Sequence, residues 1–572
     1  MSVQQMRRGN RFMVSAGHDL AALAAYEILE AGGNAVDAGV AAVLTLGVVQ
    51  SDQVSIAGVA PMLVHLGASG VTWSVAGVGG WPRGLDVDRY IAAHGDTVPL
   101  GIARTVVPAA PDACVQALER WGTLRFGDVA ARALRHARDG FPMHALMAEY
   151  LERYADTYRL WPDSAAIWLP GGRPPRVGER FVQSDLAATI GHLCDEEAAA
   201  GADRMRGLAA VRRAFYQGDI AAAIVRQHRE LGGLLTAADL SAHRAQVLPA
   251  VGRRLHLGGR AVEVRTCGAW CQGPTLLACL AMLDGVDLAA LGHNSAEYLH
   301  LLAEVVKLGF ADREAYLGDP DHVRVPLDTL LDPAYAAARR AGVDPSRASP
   351  GLPPPGVIDG FTPWVGDGTG HRAPPTPSPD TSVVAVIDAD GNAFCCNPSD
   401  PSWDVPVLPG TGLAVSSRGS QSRTLRGHPS CLAPGKRPRL TPNPCLALVD
   451  GEWLMPFGTP GGDTQVQANL QFLLNHVVFG MDLQSAVEAP RLITHSQPDS
   501  FAPHAADPGK VTVEGRVPHA VTDRLAARGH RVERLPDWTH RVAGVCAVRR
   551  ETASGALAAG ADPRRPSRAM GW

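Results

Sequence analysis

SPGLPPPGVIDGFTPWVGDGTGHRAPPTPSPD, residues 349–380, runs directly into TSVVAVIDADGNAFCCN, residues 381–397, and the change of character at that join decides the fold. Proline and glycine are so frequent in the first stretch that neither helix nor sheet propagates, which predicts an exposed loop or linker. Residues 381–388 are rich in β-branched side chains, Ala389–Asn392 form a turn, and Ala393–Asn397 return as a second strand, so the linker ends where a hairpin begins. Thr381 therefore opens a rigid element fed by an accessible chain. Cut just before it, Thr381 would carry both a hydroxyl nucleophile and a free α-amine, whose unperturbed pKa of about 7.7–8.0 suits a general base near neutral pH. Many threonines open strands without doing chemistry, so the local pattern alone does not decide between the two readings.

A second feature is FGTPGGDT, residues 457–464, a glycine-rich turn between an expected strand (453–457) and an expected helix (464–478). Backbone N–H groups at a helix start can face a developing oxyanion, and the plainer reading is an ordinary strand-to-helix turn. The sequence has no GxSxG elbow, HExxH or P-loop, and GVGG at 77–80 lacks the spacing of a dinucleotide fingerprint.

Elsewhere, residues 19–49 read as two helices split at Gly32–Gly33, with Gly33–Asn34 as the turn. Strand character follows at 61–65 and 71–75, then a long helical region from about 110 to 235, with further helices at 274–284 and 295–317. Adjacent Asp312 and Arg313 are expected to form an internal ion pair at a helix end, and the tail from Glu551, with its Pro and Arg, is expected to be loosely ordered. No internal repeat is present.

Composition narrows the function. Hydrophobic residues make up 46% and charged residues 19% of the 572, with a net charge of -4, which fits a soluble globular protein and excludes a polyanion-binding surface. The basic charge is almost all Arg, spread along the chain, so nucleic acid is not an expected partner. No export signal or bilayer-spanning run is read, so a cytoplasmic protein with no membrane partner is expected. The ten Cys show no CxxC pair and no zinc-ligand spacing; buried free thiols are the default, Cys267 and Cys271 being the pair to check.

DTSVVAVIDADGNA (380–393) resembles the start of the small subunit in the γ-glutamyltranspeptidase family. The resemblance extends in family order through ILEAGGNAVDAGVAA (28–42), RTVVPAAPDA (104–113), ARDGFPM (137–143), residues 295–320, VLPGTGL (407–413), HPSCLAPGKRPRLTPNP (428–444) and GTPGGDTQVQANLQFLLN (458–475), and the later blocks are similar to the bacterial branch of γ-glutamyltranspeptidase-like proteins. It implies an α+β fold, the N-terminal-nucleophile αββα sandwich, built from a large subunit 1–380 and a small subunit 381–572 that stay together as a heterodimer after self-cleavage between Asp380 and Thr381. It also implies Thr381 as nucleophile, Ser399 as the second hydroxyl that bonds the nucleophile's amine, and Gly461 and Gly462 as the oxyanion-hole glycines. No metal or organic cofactor is implied.

The family's substrate clamp is where the sequence departs. Members that bind γ-glutamyl groups hold the α-carboxylate with an Arg shortly before an Ala-Pro, whereas this chain reads VAGVGGWPRG (75–84), leaving Arg83 as the nearest substitute. The acidic residue for the α-ammonium aligns with Gln421, the neighbouring Asn with Pro401, and the Ser-Ser pair with Leu440–Thr441. Arg104, Arg418, Arg437 and Arg439 are candidates for a new carboxylate clamp on a small-molecule substrate. The expected function is a self-processing threonine hydrolase acting on an amide or acyl substrate other than a standard γ-glutamyl compound. Two alternatives stand beside it: carbon–carbon bond hydrolysis of a keto-acid intermediate in antibiotic (alkylproline-type) biosynthesis, and an unprocessed, non-catalytic binding homologue.

Overall fold

The computed structural model describes residues 3–366 and 381–572, so the junction residue Asp380 and the last part of the linker lie outside the described residues. Two seven-stranded antiparallel sheets stack face to face. The first runs in the order Arg568–Gly571, Met13–Ala16, Val384–Ile387, Ala393–Cys396, Met62–His65, Thr72–Ala76, Gln246–Pro249. The second runs Arg7–Gly9, Leu557–Ala561, Cys546–Glu551, Trp453–Gly458, Cys445–Val449, Arg260–Thr266, Val251–Leu257.

The two-residue period of a strand explains the layering. Ala385, Ile387, Ala393 and Cys395 point between the sheets, where they meet Leu446, Val548 and Ala559, while Val384, Val386, Phe394 and Cys396 point to the opposite face and a helical core. On that outer face lies the helix Ala35–Val49, every residue of which is buried. Gly39 allows its close approach, because a Cβ there would sit 2.2 Å from the Phe394 ring. Asn34 caps the helix in a reciprocal box with Asp37, which is why the expected turn falls at Gly33–Asn34. The helices Gly273–Met282, Ala296–Tyr316 and Thr464–Val477 cover the other sheet around Leu276, Leu302 and Phe472. The result is the four-layer αββα sandwich. Among the described residues no helix is long and apolar enough to cross a membrane.

Two expectations are corrected. The tail is not loose: Leu557–Ala561 and Arg568–Gly571 are strands, one in each sheet. Asp312 and Arg313 do not pair with each other, because each is taken up by other partners. Asp312 bonds Arg339, Tyr335 and the Gly356 N–H, whereas Arg313 reaches Glu314, Gln272 and Asp463. The Cys are free, with Cys267 and Cys271 buried between the sheets. Linker residues 349–366 carry no helix or strand.

Packing also fixes a pH response. Burial holds His65 and His228 down at about 4 and His428 and His530 at about 3, against an ordinary 6.5. The unfolded chain thus binds more protons than the folded one between pH 6.5 and about 4, and stability present above 6.5 drains away as pH falls through that window. Asp404, raised by burial to about 6, and Asp312, Asp388 and Asp400, also raised, work in the opposite direction, but lowered imidazoles outnumber them, with His136, His144, His243, His293, His476, His495 and His504 adding to the four above. The midpoint of urea unfolding should therefore fall steadily from pH 7 to pH 5, and a flat profile would contradict this accounting.

Candidate active site

Thr381 sits immediately before the buried strand Val384–Ile387 and bridges Ser399 in antiparallel fashion, as Ser399 in turn bridges Val59. Backbone bonds from Gly17 N to Val383 O (2.9 Å) and from Ser382 N to Pro398 O (3.0 Å) hold this segment from both sides. Gly17 must lack a side chain, since a Cβ would fall 2.2 Å from Ser382 Oγ. The Thr381 Oγ1 to Ser399 Oγ distance is 2.9 Å, and both residues are buried.

The glycine turn is tied to the same spot by a residue the sequence reading missed. Asn397 donates Nδ2–H to Thr459 O (2.9 Å) and, at 3.4 Å, to Ser382 O, so one amide holds both the start of the turn and the residue after Thr381. Gly461 (φ 121) and Gly462 (φ 56) both occupy the left-handed half of backbone space, between the strand Trp453–Gly458 and the helix Thr464–Val477, as the expected strand-turn-helix requires. Neither backbone N–H donates to an acceptor among the described residues. The far side of the turn is braced by Gln272, whose Nε2 donates to Gly462 O (3.0 Å) and Thr441 O (2.8 Å). Thr441 Oγ1 accepts from Gln421 Nε2 at 2.9 Å, leaving Gln421 Oε1 buried without a donor among the described residues. Leu440, fully buried, contributes its backbone, bonding Trp270 O and the Gln272 N–H. Gln421, Leu440 and Thr441 thus lie on a chain that ends at Gly462.

The arginines separate into two groups. Arg104 is bound up by Asp404 (3.0 Å) and by the carbonyls of Val98 and Pro99, and Arg439 by Glu314 and the carbonyls of Arg313 and Leu317, so both hold the protein itself together. Arg83 is exposed and shares a polar cleft of about 230 Å³ with Asp239, Arg244, Asp319 and Arg437, whose lining does not include Thr381, Ser399, Gly461 or Gly462. Arg437 is itself paired with Asp319 and Asp321. Arg418 bonds the residue beside the threonine: fully buried, it donates from Nη2 to Ser399 Oγ. Its Nε lies 3.4 Å from Asp400 Oδ1 without hydrogen-bond alignment, and Nη1 has no partner among the described residues. Asp400, raised by burial and offset by Arg418, accepts from Ser416 Oγ (2.7 Å) and from Ser417 N and Oγ (2.9 Å each).

The family sequence model described as Gamma-glutamyltranspeptidase matches residues 21–572. The Acylase ACY 1 proenzyme of Pseudomonas sp. (strain SE83) is 31% identical over 94% of this chain and 89% of its own length. The Oxamate amidohydrolase proenzyme of Klebsiella pneumoniae is 29% identical over 98% of each. The solved structure of LmbA2991HD superposes over the whole of both chains with a TM-score of 0.93 at 36% identity.

Proposed function

Because the chain belongs to the γ-glutamyltranspeptidase family, we propose that it is a self-processing N-terminal threonine hydrolase acting on an amide or acyl substrate that is not a standard γ-glutamyl compound. The observation that carries the reading is Thr381 Oγ1 held 2.9 Å from Ser399 Oγ at the mouth of a buried strand, with Asn397 joining that strand to the Gly461–Gly462 turn. In maturation, Thr381 Oγ bonds to the Asp380 carbonyl carbon, the Asp380–Thr381 C–N bond breaks, and the hydroxyl proton ends on the departing nitrogen. Water then hydrolyses the resulting ester, leaving an Asp380 carboxylate, a free Thr381 amine and the restored hydroxyl. In turnover, that amine takes the hydroxyl proton as Oγ attacks the substrate carbonyl and hands it to the leaving group, and water then hydrolyses the acyl-threonine ester, releasing the acid and restoring the hydroxyl. The N–H groups of Gly461 and Gly462 stabilise the oxyanion, a donor of this kind being worth about 2.7–4 kcal/mol of barrier. Ser399 holds the Thr381 end of the site in register.

Fragments 1–380 and 381–572 would remain one heterodimer, since Val384–Ile387 and Ala393–Cys396 are flanked in their sheet by Met13–Ala16 and Met62–His65. Separation would tear both sheets. The departure from γ-glutamyl substrates is supported by the uncharged residues at the clamp positions, Pro401, Gln421, Leu440 and Thr441, and by the lining of the Arg83 cleft, which does not include the threonine. Relatives named for acylase and oxamate amidohydrolase activity agree with a broader acyl chemistry.

One observation favours the second reading, carbon–carbon bond hydrolysis of a keto acid. An α-oxo acid carries its carboxylate directly on the carbonyl carbon that a nucleophile attacks, and Arg418 places a buried cation two hydrogen bonds from Thr381. A substrate panel of N-acyl amines, oxamate and α-oxo acids, scored for released amine against released oxalate-type acid, separates the two readings. Activity on none of them by cleaved protein would remove both, and a chain that stays whole would favour the binding homologue.

A further inference from the structure

A guanidinium carries N–H donors and no acceptor, so in the contact between Arg418 and Ser399 it donates and Ser399 Oγ accepts. One lone pair of that oxygen is thereby committed. Thr381 Oγ1 lies 2.9 Å from the same oxygen; while both hydroxyls keep their protons either can donate, but once Thr381 Oγ loses its proton it can only accept, and Ser399 is then the donor. A cation hydrogen-bonded to a hydroxyl oxygen draws electron density from the O–H bond and makes it a stronger donor. As Thr381 Oγ gives up its proton, the arrangement runs in one direction, from Arg418 through Ser399 to Thr381. All three are buried, so the field is not screened by water.

The guanidinium is flanked on two sides. The Phe501 ring lies 5.1 Å from its central carbon, and Asp400 flanks Nε. Asp400 keeps its place at a backbone cost: its φ is 117, a region that a non-glycine residue occupies only when its surroundings dictate it. Here the turn folds the carboxylate back onto Ser416 and Ser417, leaving Ser399, one residue earlier, pointing at Thr381. The other charged groups nearby, Asp404 and Arg104, are paired with each other.

We propose that Arg418 is a positioning residue that acts through Ser399, polarising its hydroxyl to donate to Thr381 Oγ as negative charge develops there, in self-cleavage and in turnover alike. The inference rests on Thr381 being the nucleophile. It differs from an anchoring role for Arg418 on substrate, because self-cleavage involves no substrate.

The test follows the rate at which purified full-length chain converts to fragments, by intact mass, with no small molecule added. R418Q should slow conversion on the order of 100-fold, the loss typical of removing one preorganised donor at a reacting centre, with circular dichroism and melting unchanged. Added guanidinium ion should restore much of the rate, and R418K, which keeps a cation but cannot hold Ser399 and Asp400 together, should lie between. Conversion of R418Q at the wild-type rate would overturn the proposal in favour of a purely substrate-facing Arg418, and a folded but slow R418Q that guanidinium does not rescue would overturn it in favour of a structural role. If R418Q does not fold, R418K decides: about tenfold slower supports the proposal, unchanged overturns it. A wild type that stays whole, or a Thr381→Ala variant that cleaves, removes the nucleophile reading and this inference with it, a failure recognisable without any Arg418 variant.

Discussion

Thr381→Ala is expected to remain a single chain of 572 residues under conditions in which the wild type yields fragments 1–380 and 381–572. The reason is atomic: the substitution removes Oγ1, the atom 2.9 Å from Ser399 Oγ, and leaves the surrounding strand untouched. The site is buried, so no solvent hydroxyl is positioned in its stead. Loss of a nucleophile in hydrolases of this general kind costs on the order of 10⁶-fold in turnover. Any remaining activity measures what the glycine turn and substrate binding achieve alone. Thr381→Ser keeps the oxygen but loses the methyl that limits side-chain rotation, so it should cleave, more slowly. Intact mass over a day of incubation reads both variants. Fragments from Thr381→Ala would place the nucleophile elsewhere.

The hairpin at Thr381 and the strand-turn-helix at Gly461 were legible because their signals are local. β-Branched runs, an Asp-Gly-Asn turn and a glycine pair between apolar segments act within a dozen residues, and the Asn34–Asp37 box likewise marks its own helix start. What the sequence hid depends on partners far along the chain. Leu557–Ala561 is mostly alanine and glycine, with no β-branched residue, and becomes a strand only because its small side chains fit between Arg7–Gly9 and Cys546–Glu551. Asn397 gives no motif, since its importance lies in bridging Ser382 and Thr459. The arginines are the sharpest case. Arg104, Arg418, Arg437 and Arg439 are indistinguishable as letters, and only the acceptors that surround each one separate three internal clamps from the one that meets Ser399.

The second large effect is expected at Glu314, which lies in the block 295–320 and is not among the site residues expected from the sequence. Its carboxylate lies near the end of the helix Ala296–Tyr316 and accepts from Arg313 Nε (3.0 Å), Arg439 Nη2, Arg423 Nη2 (2.7 Å) and His428 Nε2 (3.2 Å). Burial alone would raise its pKa, but Arg439, Arg423 and Arg313 together hold it well below the usual carboxylate range, so it stays ionised down to acid pH. Glu314→Ala would leave three guanidinium groups converging on an apolar gap. Removing one partner of a buried ionic cluster typically costs about 3–5 kcal/mol, a large share of the roughly 5–15 kcal/mol by which folded domains are stable. The damage should also reach the chemistry, because Arg313 carries the network on to Asp463, the residue after Gly462, where Ser500 completes the contacts. Glu314→Gln keeps the shape and two acceptor lone pairs but turns an amide towards an arginine donor, so its loss should be smaller yet clear. Urea unfolding of the two variants, made in a Thr381→Ala background so that every chain is intact, measures the difference free of processing. Wild-type stability in Glu314→Ala would mean that the three arginines find other anions or water, and that the glycine turn is held by Asn397 and Gln272 alone.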